Sequence, residues 1–193
     1  MTTHYTSITL YGVEQNDVLT WCENNHVTGY VSPTIDDVTV LYENTLAEHA
    51  ADEKPMEYLL ARGAKLSGDL LAAAMVAVVA DDDLFMYVLY LDGQMIDHYM
   101  SYTTKPPVNG SVAVLRDTFD AEGEEKRIEA ALRREGILSA ADRHKELMDA
   151  LALPPMMVDM GFDYLDEGEK PHGVEDNNDV AYIGWDVDED EDS

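Results

Sequence analysis

Apolar positions crowd the stretch from Ala73 to Ser101 into three runs of eight residues. These are AAMVAVVA, LFMYVLYL and QMIDHYMS, parted by Asp81-Asp82-Asp83 and by Asp92-Gly93. Asp-Gly between two apolar, aromatic-rich runs predicts a β-hairpin, because both turn positions need φ > 0. A two-residue turn sets the register. It would place Leu91 opposite Gln94, Leu89 opposite Ile96, Tyr87 opposite His98 and Phe85 opposite Met100. On the other face Tyr90 would meet Met95, Val88 would meet Asp97 and Met86 would meet Tyr99. Both faces are largely apolar, which predicts strands near the middle of a covered sheet.

Before this hairpin the pattern reads β-α-β-β. Ser7–Tyr11 alternates as a strand and ends at Gly12. Asn16 or Asp17 is placed to cap a helix through about Asn25, with Val18, Leu19 and Cys22 on one face. Tyr30-Val31-Ser32 is a short extended piece, and Val38–Tyr42 a clearer strand. Residues 43–54 are polar and read as a loop or weak helix. Pro55 suits a helix's first turn, continued by Met56, Leu59 and Leu60 to Gly63, or to Gly68 if the helix survives the first glycine. The strand beyond it is expected from about Met75.

Thr104–Gly110, with Pro-Pro and Asn-Gly, is the best internal boundary. Helices are expected over Val112–Phe119, Glu122–Arg134 and Ser139–Leu151. Ser139 and Asp142 stand at capping-box spacing. Gly161–Tyr164 could add an edge strand. The expected architecture is an α+β fold: a mostly antiparallel sheet of about five strands with a central Asp-Gly hairpin, covered by helices. Residues 1–174 would form one domain, with a possible subdivision near 104–110. Residues 175–193 would form an acidic, mobile tail, in which Val180–Trp185 is too apolar for pure solvation.

Charge changes this picture. Forty acids against twelve bases leave −28, spread as −12 over residues 1–110, −7 over 111–174 and −9 over 175–193. Such a charge repels phosphate backbones and anionic membrane surfaces, so direct nucleic-acid and membrane binding are not expected. The remaining readings are solubility or a salty environment, an acidic face for a basic protein partner, and, more rarely, imitation of nucleic acid. The lone Cys22 excludes an internal disulfide and suits a reducing cytoplasm. The opening MTTHYTSITLYG lacks a basic region followed by an apolar core. The longest apolar run, Leu70–Ala80, is far short of the roughly 20 residues of a membrane-crossing helix.

Candidate chemistry is sparse. His98, facing Tyr87 in the expected register, resembles an exposed acid-base histidine, although a sheet histidine satisfied by one hydrogen bond is the plainer reading. Asp97 would point to the opposite face, so the two are not a dyad. Cys22 beside Glu23 reads as a buried small hydrophobe rather than a nucleophile. Asp159, Asp163, Asp166, Glu167 and Glu169, with His172 near, could attract a hard cation, but the spacing matches no EF-hand loop, and Asp186, Asp188, Asp190 and Asp192 lack that loop's glycine and its twelfth-position acid. No metal or cofactor is assigned, and no phosphate-loop, dinucleotide, zinc or nucleophile-elbow motif occurs.

In general character, small, acidic and motif-free, the chain resembles bacterial accessory or toxin-neutralising immunity proteins. The resemblance implies a non-enzymatic cytosolic protein that binds a basic partner through an acidic surface. Tyr182 and Trp185 would be the aromatic anchors, and Asp186 and Asp188 the steering carboxylates. The alternative is a small enzyme built around His98 and Tyr87, with or without a metal.

Overall fold

The computed structural model describes residues 4–44, 55–134, 138–176 and 179–184. One antiparallel sheet of eight strands organises it. The strands are β1 (Tyr5–Tyr11), β2 (Gly29–Val31), β3 (Val38–Glu43), β4 (Ala73–Ala80), β5 (Leu84–Leu91), β6 (Gln94–Tyr102), β7 (Lys105–Asn109) and β8 (Ala181–Ile183). Their spatial order is β7-β6-β5-β4-β1-β3-β2-β8. The expectation of about five strands falls short for a physical reason. β2 and β8 are three residues each, too short for an alternation to register, and β7 contains Pro106 and Pro107. Proline cannot donate to a ladder and is tolerated on an edge strand, which is where β7 lies.

The middle of the sheet is the β4–β1 pair, with Tyr5 opposite Val79 and Tyr11 opposite Ala73. β5 and β6 therefore lie in one half of the sheet and not at its centre. AAMVAVVA is buried along nearly its whole length because both of its faces are covered. Between β5 and β6, Asp92 and Gly93 both take positive φ, at 51° and 77°. Leu91 pairs with Gln94 and Tyr90 with Met95, but the register then shifts. Leu89 meets Asp97, Val88 meets His98, Tyr87 meets Tyr99 and Met86 meets Met100. Ile96 is the extra residue of this bulge. Its side chain packs on the core, so apolar patterning alone could not reveal the slip.

Helices cover both faces. On one lie α1 (Gln15–Asn25) and α2 (Pro55–Leu70). α1 begins without a capping side chain of its own. Thr34 Oγ1 instead accepts from the Gln15 N–H at 2.8 Å, correcting the cap expected at Asn16 or Asp17. α2 runs through both of its glycines. A Cβ on Gly63 would stand 2.2 Å from Val76 Cγ2, so the glycine lets the helix lie close on the sheet. Gly68 packs on Gly93, and Ser67 Oγ accepts from the Gly93 N–H at 3.2 Å.

The opposite face carries α3 (Val112–Thr118), α4 (Glu125–Arg133), α5 (Ala140–Ala150) and α6 (Phe162–Asp166), with a 3-10 turn at Pro155–Met157. Ser139 caps α5 by accepting from the Asp142 N–H at 3.0 Å. Phe85, Tyr87 and Leu89 are fully buried beneath this layer, each worth about 1.5–3 kcal/mol of transfer free energy. Gly161–Tyr164, expected as an edge strand, instead opens α6. Gly161 sits against Tyr5, where a Cβ would be 2.9 Å from the Tyr5 Cβ. The edge strand is supplied by Ala181–Ile183, from within the acidic segment.

Candidate functional site

The shifted register separates the two residues paired in the sequence reading. Tyr87 points into the α3–α6 face and is fully buried. His98 sits opposite Val88 on the other face and is exposed. Tyr87 donates its phenol to Asp97 Oδ2 at 2.8 Å. Burial, then the Asp97 carboxylate, pushes its pKa well above the ordinary phenol value. Asp97 also accepts from the Ser111 N–H at 2.9 Å, at the N-cap of α3. Asp97 is thus a corner tie between β6 and α3. His98 Nε2 lies 2.6 Å from Asn109 Nδ2. Arg133 donates to the carbonyls of Asn109 and Gly110. An open concavity of about 400 Å³ passes between Met95, His98, Asn109 and Arg133. No hydrogen bond joins His98 to Tyr87 or Asp97, so no proton relay runs between them.

Two further titratable groups belong to the core. Cys22 is fully buried, and desolvation followed by the charge of Glu43 pushes its thiol up to about 12. This is the opposite of an activated thiolate. His144 on α5 is fully buried between Phe85, at 4.9 Å between ring centroids, and Tyr5, whose hydroxyl lies 2.9 Å from Nδ1. Burial pushes its pKa down to about 3, so the ring is neutral. Among the described residues no three His, Cys, Asp or Glu side chains gather to hold a metal ion. The run from Asp159 to Glu169 instead enters α6, which disperses its carboxylates.

Among the described residues, the aromatic most open to solvent, Tyr182, lies at the β8 edge. Tyr182 is 58% exposed, yet its ring is not loose. Antiparallel pairing sets it opposite Tyr30, with ring centroids 5.0 Å apart, and Tyr30 in turn meets Phe162 of α6 at 5.4 Å. On its other side the ring lies over Gly184, where a Cβ would be 2.4 Å from the Tyr182 hydroxyl oxygen. Tyr30 donates to Asp166 Oδ1 at 3.3 Å. Desolvation and then this carboxylate raise its pKa above the ordinary phenol value. Gln15 fastens the segment by donating one amide group to two carbonyls, Val31 at 3.1 Å and Asp179 at 2.7 Å. No lysine or arginine among the described residues pairs with Asp166 or Asp179. Trp185, Asp186 and Asp188, the other partner-binding candidates, lie outside the described residues.

Tyr182 was singled out by its apolar setting in an acidic segment. Asp166 enters the sequence reading only as one of the carboxylates of residues 159–169, and its convergence with Tyr30 and Phe162 beside Tyr182 depends on the pairing of β2 with β8, which three-residue strands do not announce. Chemically, the edge offers a π face near the Asp166 carboxylate, to which no lysine or arginine pairs among the described residues, a combination that attracts a guanidinium or ammonium group. Comparison with family models, with curated proteins and with solved structures finds no match. No described helix is long and apolar enough to cross a membrane.

Proposed function

We propose that this chain is a non-enzymatic binding protein, cytoplasmic and accessory or immunity-like in character, that takes a basic protein partner on its acidic surface. The observation that carries the reading is Tyr182. A large aromatic, mostly exposed, packs between Tyr30 and Gly184, and the Tyr30 hydroxyl donates to the carboxylate of Asp166. Binding anchors are aromatics of this kind, positioned before the partner arrives and ringed by charges that steer it. The carboxylates of Asp166 and Asp179, with no basic partner among the described residues, are consistent with a cationic visitor. A net charge of −28 extends the same field over the whole molecule.

The test is capture from the source lysate at low salt, with the full chain beside its Tyr182→Ala and Asp166→Asn variants. A defined basic protein should be recovered, lost as salt rises past about 0.5 M, and weakened by either substitution. Recovery that is insensitive to salt and to both variants would overturn the reading. The enzyme alternative is favoured only by the concavity at His98. It predicts that a His98→Ala variant abolishes a measurable turnover while leaving the partner capture intact.

A further inference from the structure

The two edges of the sheet are protected very differently. At β7, Pro106 and Pro107 remove backbone donors and Lys105 adds a charge, the devices by which sheets refuse further strands. At β8, Ala181-Tyr182-Ile183 carries neither proline nor charge, and among the described residues no strand pairs with its outer side. Side chains alternate there. Ala181 and Ile183 turn to the α1 face, where Ile183 is buried, and Tyr182 turns to the α6 face.

We infer that β8 is the docking edge for an extended segment of a basic partner, which adds as a ninth strand and sets an arginine or lysine beside the Tyr182 ring. The inference rests on the proposed function and specifies its geometry. The occupant is identified by charge. A residue opposite Tyr182 would lie on the side of Asp166, and Asp179 stands two residues before β8, neither of them paired to a base among the described residues. A second copy of this chain would bring another −28 to the same edge and is disfavoured on that ground. The edge is short, so backbone hydrogen bonds alone hold a strand weakly. The ring and the carboxylates supply the selectivity.

The experiment uses the full chain and two probes of identical side chains. One is an octapeptide of alternating arginine and valine. The other is the same peptide with every internal amide N-methylated, so that charge is kept and strand pairing is blocked. Amide hydrogen exchange at residues 181–183 is read alongside affinity. Strand addition predicts slowed exchange at these amides with the unmodified peptide only, an N-methylated affinity at least about tenfold lower, and a loss of about threefold in Tyr182→Ala. Equal binding of both peptides without protection at β8 overturns strand addition and leaves the acidic-surface reading standing. Protection of β8 in the protein alone, growing with its concentration, assigns the edge to a second copy and also overturns it. If neither peptide binds, strand addition fails, and the acidic-surface reading falls with it only if the low-salt capture also recovers nothing.

Discussion

The two faces of the sheet solve the same problem, polar groups under a helical layer, in opposite ways. Beneath α1 and α2 the chain buries a charged pair. Arg62 Nε meets Glu43 Oε1 at 2.9 Å, with only 12% and 1% of the side chains exposed, and the guanidinium stacks over Trp21 and Tyr58. Beneath α3 to α6 no acid-base ion pair is buried among the described residues, and the deepest polar groups are neutral rings, while the buried Arg143 donates to the Arg134 carbonyl at 2.9 Å. His144 is held unprotonated, Tyr42 donates to the Met156 carbonyl at 2.8 Å, and Tyr87 donates to Asp97. A buried ion pair is tolerant of pH and intolerant of losing one partner. A buried neutral imidazole is the reverse, since packing holds it but acid charges it. The two faces should therefore fail under different insults.

The largest expected effect breaks the charged face. Arg62→Ala removes the guanidinium from the buried Glu43 carboxylate and should cost about 3–5 kcal/mol in urea unfolding. A loss below about 1 kcal/mol would show that the pair is dispensable. Next is the fit of α2 on the sheet. Gly63→Ala gains helix propensity but drives a methyl into Val76, and a net destabilisation of about 1–3 kcal/mol is expected. A more stable variant would mean that the helix lifts without penalty.

The neutral face is tested with acid. The pKa of His144 is about 3 in the folded protein against 6.5 for a free imidazole. The unfolded chain therefore binds the extra proton between these values, and stability present above pH 6.5 is lost as pH falls toward 3. Each pH unit in that window costs about 1.4 kcal/mol. His144→Phe, compared with the parent at pH 7 and pH 5, should remove about 2 kcal/mol of this pH dependence. An unchanged slope would mean that the buried ring does not control the acid response. Smallest is the binding edge. Gly184→Ala should push the Tyr182 ring aside, with a stability change within about 0.5 kcal/mol, while weakening capture of the basic partner. Stability and binding lost together would make the ring a structural prop.

The parts of the fold readable from sequence are those where one residue or one period suffices. β4 and β5 announce themselves as apolar runs, Asp92-Gly93 as two positions able to take positive φ, and Ser139 with Asp142 as a helix start. What escaped depends on neighbours remote in the chain. Tyr30-Val31-Ser32 reads as extended from its sequence, but that β2 joins the sheet beside β3, and that β8 is a strand, follows only from their pairing. The bulge at Ile96 obeys no local signal, because Ile96 finds apolar cover after the slip. That single residue sets His98 opposite Val88 instead of Tyr87, on the other face of the sheet. The same dependence hid Tyr30, Phe162 and Asp166 from any reading of Tyr182.

β1 lies between β3 and β4, although β4 begins more than sixty residues later. The N-terminal strand is thus the seam that joins the two halves of the sheet, and neither half can open along it without stripping β1 from one neighbour. Cooperativity follows. The amides of β1 and β4 are expected to exchange with solvent only when the whole molecule unfolds, while those of β7 and β8 exchange through local fraying.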